Sequence, residues 1–135
     1  MQRASQAKPR GVAAVELAVV APLVLLITFG VQEVTASIYL QQSLEICAYE
    51  SARVALLPDT DQGNVTAMAD SLLASRHVKG ATVTVTPGDF DSQPYGTEIT
   101  VRVTAPLAGN NFGPLFVLSD RNVAAEVVVM KEQGL

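Results

Sequence analysis

From Arg10 to Leu57 the chain reads RGVAAVELAVVAPLVLLITFGVQEVTASIYLQQSLEICAYESARVALL, almost wholly apolar as far as Val31 and amphipathic after Thr35. A helix advances about 1.5 Å per residue, so Val12 to Val31 would span roughly 30 Å, the thickness of a bilayer's hydrocarbon core. Gln32 and Glu33 prevent the span from sliding toward the C-terminus, and a start at Leu17 would leave only about 22 Å of apolar rod. Glu16 is therefore held inside the span, near its edge. A carboxylate there costs on the order of 3 kcal/mol at the centre of a membrane and less toward the interface, which makes it a functional candidate. Pro22 lies well within the span and predicts a kink or a local loosening near Ala18 to Pro22. Beyond Thr35, Leu40, Leu44, Cys47, Ala48, Ala52 and Ala55 fall on one helical face, and Pro58 predicts a helix end near Leu57.

Ahead of the span, Met1 to Arg10 carries Arg3, Lys8 and Arg10 and no acid, and Gly11 separates this basic leader from the apolar run. The leader has no helical stripe and is assigned no structure. Basic charge before the span and mainly acidic charge after it place the N-terminus in the cytoplasm and the C-terminal part outside. A basic leader, a glycine, four small or apolar residues, a glutamate and a greasy helix form the arrangement of a type IV prepilin. The stretch GVAAVELAVVAPLVLLITFGVQE followed by YLQQSLEICAYESARVA resembles the TadE-like pseudopilins of the tight-adherence pilus system. Gly11, Glu16, Pro22, the Phe29-Gly30 pair, Glu33 and the Gln-Gln to Ala-Arg stretch stand in the family's order. Leu17, Cys47 and Tyr49 depart from it. The resemblance implies a bacterial inner-membrane protein cut by a prepilin peptidase between Gly11 and Val12. It also implies that Glu16 neutralises the N-terminal amine of a subunit during assembly, with other pilins or pseudopilins as partners.

The rest of the chain predicts a small extracytoplasmic domain over 58–135, after a leader at 1–11 and the long helix at 12–57. DTDQGN at Asp59 to Asn64 lacks the residue order of a calcium loop and reads as a turn followed by a helix cap. Asn64 is expected to cap a second helix running to about His77, with Val65, Met68, Ala69, Leu72 and Leu73 on one face and Gly80 ending it. His77 has no second ligand nearby in sequence and suits the end of a helix dipole. The period then changes to two. ATVTVTP at Ala81 to Pro87, TEITVRVTA at Thr97 to Ala105, and Val123 to Met130 predict three strands. Their alternate positions Val83, Val85, Ile99, Val101, Val103, Val127 and Val129 should join Val65, Met68 and Leu72 in the core. Between the last two strands, Phe112, Leu115 and Phe116 offer an apolar plug in a connection expected to cross the sheet edge. The fold class is α+β: a long transmembrane and amphipathic helix, one further helix, and a mainly antiparallel three-stranded sheet.

Composition narrows the function. A net charge of -4, with all of the leader's charge positive, disfavours nucleic acid as a partner. No tryptophan and few aromatics argue against a deep pocket for a small-molecule substrate. No phosphate loop, nucleophile elbow or metal-binding pattern is present, and Asp89 and Asp91 read as turn formers, so neither an enzyme nor a cofactor is expected. Cys47, the single cysteine, excludes an internal disulfide. Three classes of function remain. The first is a processed minor pilin or pseudopilin. The second is an uncleaved, single-pass anchored binding or scaffold protein. The third is a secreted protein cut after Val34-Thr35-Ala36, which Glu16 and the unbroken helical period oppose.

Overall fold

The computed structural model describes residues 10–110 and 120–132. Its elements are α1 (Arg10–Ala55), α2 (Gln62–Ser75), β1 (Thr82–Thr86), β2 (Glu98–Pro106) and β3 (Asn122–Met130). The expected α+β architecture is present: a 46-residue first helix, a second helix and a three-stranded antiparallel sheet in the order β1-β2-β3. At about 1.5 Å per residue, α1 is a rod of roughly 69 Å. It continues as helix on both sides of Pro22, whose ring nitrogen leaves the Ala18 carbonyl without its helical donor. At its other end Leu56 N–H donates to Arg53 O (3.2 Å) and Leu57 N–H to Val54 O (3.0 Å), a tightening last turn that delivers the chain to Pro58.

Only the second half of α1 enters the core. Leu40, Leu44, Cys47, Ala48, Ala52 and Ala55 are all buried, as their spacing predicts, and Ser43 and Ser51 are buried with them. Small residues at 48, 51, 52 and 55 let α1 approach α2 and the sheet closely. From α2 come Val65, Ala69 and Leu73, whereas Met68 and Leu72 are half-buried, which moves the core stripe one residue from part of its expected place. The helix is capped by Asp61, not by Asn64: Asp61 is extended (φ -108, ψ 176) and its carboxylate accepts from Asn64 N–H at 2.9 Å. The other end also differs from expectation. Val78 N–H reaches Leu73 O (3.0 Å) and His77 N–H reaches Ala74 O (3.1 Å), so His77, at φ 56, takes the left-handed position expected of Gly80.

In the sheet, Val101 of the central strand faces Val85 on one side and Val127 on the other. Ile99, Val101, Val103 and Ala105 are fully buried against the helices, with Val85 and Ala125 nearly so, while Val83, Val127 and Val129 are half-buried on the edge strands. The opposite face carries Thr82, Thr84, Thr86, Arg102 and Glu126, and Arg102 lies 3.7 Å from Glu126. β3 lies beside β2, and the expected crossing of the sheet edge falls on residues 111–119, outside the described residues. The plug of Phe112, Leu115 and Phe116 and most of the leader lie outside the described residues.

Adjacent residues on β2 thus have opposite environments, which sets up a direct comparison. Burying an aliphatic of this size contributes about 1.5–3 kcal/mol, and an unpaired carboxylate in its place adds a larger penalty. Val101→Asp is expected to abolish cooperative unfolding of the detergent-solubilised chain. Arg102→Ala, which removes an exposed ion pair, should change stability by less than about 1 kcal/mol. Circular dichroism melts of the two variants check both.

Candidate membrane and processing segment

The residues expected to carry function all lie on the first turns of α1. Gly11, Val12 and Glu16 are helical and exposed. Val12 and Glu16, four apart, share a helix face and are separated by about 6 Å along the axis, whereas Gly11 is turned about 140° from Glu16. A side chain added at Gly11 would meet nothing within 4 Å. The three residues are therefore presented on a bare rod; only Val12 and Glu16 are brought together, by helical spacing alone.

That rod is apolar on every side. Val12, Val15, Leu17, Val19, Val20, Leu23, Val24, Leu25, Leu26 and Ile27 are each more than half exposed. An 18-residue window within this helix reaches a mean hydropathy of 2.5, and none of it is buried inside the protein. Between Gly11 and Gln32 the sole charged side chain is Glu16. The few hydroxyls in the rod are turned inward: Thr28 Oγ1 donates to Val24 O and Thr35 Oγ1 to Val31 O, each at 2.8 Å. Such back-bonding satisfies a polar group without water, as a hydrocarbon environment requires. This apolar, uncovered helix is suited to single-pass membrane anchoring. The domain begins to cover one side of it at half-buried Phe29 and Gly30, and Glu33 is only 3 % exposed.

The remaining candidate residues have structural duties. Cys47 is fully buried between the helices, with Sγ 3.5 Å from Ala69 O, and burial pushes its thiol pKa up. The Ser51 hydroxyl beside it pulls the thiol the other way in part, while Ser51 Oγ has no hydrogen-bond partner among the described residues. Asp59 sits in a left-handed turn (φ 56), Asp61 caps α2, and Asp89 accepts from Gln93 Nε2 at 2.9 Å. Among the described residues no group of three or more His, Cys, Asp or Glu side chains could hold a metal ion.

Two tertiary anchors give no sign of themselves in the sequence pattern. Lys131 Nζ donates to the carbonyls of Phe90 (2.9 Å), Asp91 (2.7 Å) and Gln93 (2.7 Å) and lies 5.8 Å from the Tyr95 ring centroid. All three ammonium donors are thereby used to hold the loop after β1, which inserts Phe90, 2 % exposed, into the core. Asn110 accepts from Lys79 N–H and donates to Lys79 O and Pro106 O, each at 2.8 Å, joining the α2-β1 loop to the exit of β2. Beside the Lys131 loop, Ala55 to Asp61, Phe90, Asp91, Tyr95 and Glu132 border an open cleft of about 690 Å³.

The comparison with known families matches residues 11–53 to the model described as TadE-like protein. The match covers the apolar rod and the core-facing half of α1, and stops short of α2 and the sheet. None of the curated proteins and none of the solved structures compared with the chain gives a match.

A buried hydroxyl without a partner costs about 1–3 kcal/mol. Ser51→Ala is therefore expected to raise stability by about 1 kcal/mol in denaturant titrations of the detergent-solubilised chain. A loss of stability would show that Ser51 finds a partner within the fold.

Proposed function

We propose, from the TadE-like character of residues 11–53, that the chain is a membrane-anchored component of a tight-adherence pilus system, a minor pilin or pseudopilin processed between Gly11 and Val12. The observation that carries this reading is Glu16. It is the one charge in an exposed apolar helix, four residues beyond Val12 and just after a basic leader and a glycine.

The physical steps are simple. Arg3, Lys8 and Arg10 hold the leader on the cytoplasmic side of a bacterial inner membrane while α1 crosses it and the domain lies outside. The Gly11–Val12 bond lies in the first turn of α1, where backbone donors lack helical partners, and glycine lowers helix stability by about 1 kcal/mol. Unwinding that turn into the extended form needed by a peptidase therefore costs little.

Cleavage leaves a charged amine on Val12, with an ordinary pKa of about 7.7–8.0, at the edge of a medium that penalises isolated charge. A carboxylate offsets that penalty, whether it comes from the same chain or from a neighbour. Only an intermolecular pair would also fix the stagger between subunits, and setting register is the best attested use of a buried ion pair. No catalysis is required of the chain itself; the peptidase and the other pilins are its partners, and the bilayer is its solvent. If cleavage does not occur, the same helix serves an uncleaved anchored scaffold.

Glu16→Ala separates these roles. Removing the acid lowers the cost of insertion, by up to about 3 kcal/mol if the site were at the membrane centre, so the variant should insert and be processed as the parent is. It should, however, fail to co-purify with assembled pilus partners from cells carrying the whole system. Normal assembly of the variant would remove Glu16 from the mechanism and favour the uncleaved, anchored reading.

A further inference from the structure

The two sides of α1 leave apolar surroundings at different heights. On the side facing the domain, burial begins at Phe29 and Gly30 and is complete at Glu33. On the far side, Val31 (61 % exposed), Val34 (52 %) and Ile38 (53 %) continue the uncovered apolar surface beyond that level. Ile27, Val31, Val34 and Ile38 follow helical spacing and form one stripe. The stripe meets its first charge only at Glu45, which accepts from Gln41 Nε2 at 2.8 Å. Along this free face the apolar surface thus ends about 8 Å farther along the axis at Ile38 than at Glu33 on the covered face.

We infer that α1 lies tilted in the bilayer, with the Val31-Val34-Ile38 face immersed in lipid and the domain resting on the membrane surface above the opposite face. Two lengths each require a tilt. An upright rod from Val12 to Thr28, where exposure is uniform, covers only about 24 Å and falls short of a hydrocarbon core of about 30 Å. Measured to the level of Thr35 and Ala36, midway between the two exit levels, the rod is about 35 Å long and matches that core when tilted by about 30°. An offset of about 8 Å across a helix about 10 Å wide gives a somewhat larger tilt, about 40°, at the upper end of the range for membrane helices. Tyr39 then stands at the level of the interface, where an amphipathic ring is favoured. Lipid is the occupant chosen because the stripe is continuous with the uncovered rod below it and carries no charge to select a protein partner.

The inference rests on membrane anchoring, and the test keeps the two apart. In a Cys47→Ala background, single cysteines at Leu23, Val31, Val34, Ile38 and Glu45 of the full chain carry an environment-sensitive fluorophore. The variants are reconstituted in phosphatidylethanolamine and phosphatidylglycerol vesicles, and quenching by shallow nitroxide lipids is compared with quenching by aqueous iodide. Labels at 31, 34 and 38 should be quenched several-fold more by lipid than the label at 45, with the order reversed for iodide. Iodide quenching at 38 equal to that at 45 would overturn the tilt while lipid quenching at 23 preserved the anchor. Protection of 31, 34 and 38 from both quenchers, with cross-linking between chains, would replace lipid by a second copy. Failure of lipid to quench the label at 23 would overturn the anchoring and the tilt together.

Discussion

A helix has one cylindrical surface, and α1 must divide that surface between hydrocarbon, water and protein. From Val12 to Ile27 no described residue of the domain covers it, so its stability there depends on a medium that tolerates exposed valine and leucine on every side. Along its second half, Leu40, Leu44, Cys47, Ala48, Ala52 and Ala55 supply one wall of the core, while Gln42, Glu45 and Tyr49 on the free side are exposed. The sheet offers a single apolar face, and α2 alone contributes only Val65, Ala69 and Leu73 as fully buried residues. Removing α1 would strip Val101 and Val103 of the surface they pack on. Anchor and core are the same element, so the domain's orientation is mechanically coupled to the rod.

This coupling explains why small side chains crowd the second half of α1. Ala48, Ser51, Ala52 and Ala55 leave room for α2 and the sheet, at the cost of a buried serine hydroxyl without a hydrogen bond. It also explains why the loops are tied by single polar side chains. The Lys131 ammonium fixes the segment that carries Phe90, and the Asn110 amide clamps Lys79 to Pro106, so two irregular connections are rigid without much apolar burial of their own.

Most of the element order was legible because each element declares its own period. The long apolar run, the 40, 44, 47, 48 stripe and the valine alternation of β2 depend on near neighbours in sequence. Helix ends were read less well. Asp61 and Asn64 are both good caps, and backbone conformation chooses between them; His77 takes the left-handed position because Val78 folds back to bond Leu73 O and packs on the core cluster, whose other members come from distant elements. Lys131 and Asn110 are silent because their partners lie far off in the chain, 38 to 41 residues away for Lys131 and 31 residues away for the Lys79 contacts of Asn110. At the N-terminus the reverse holds. Gly11, Val12 and Glu16 are proposed from sequence alone, and the structure adds only their placement on an open helix.

The reading of this chain as a processed pilus component turns on where the mature polypeptide begins. Intact mass and N-terminal sequencing of the protein recovered from membranes of its native cells measure that directly. The account predicts a chain beginning at Val12, with the basic leader gone and the whole of the apolar rod retained. A chain beginning at Met1 would contradict processing, and one beginning at Ser37 would contradict the membrane helix itself.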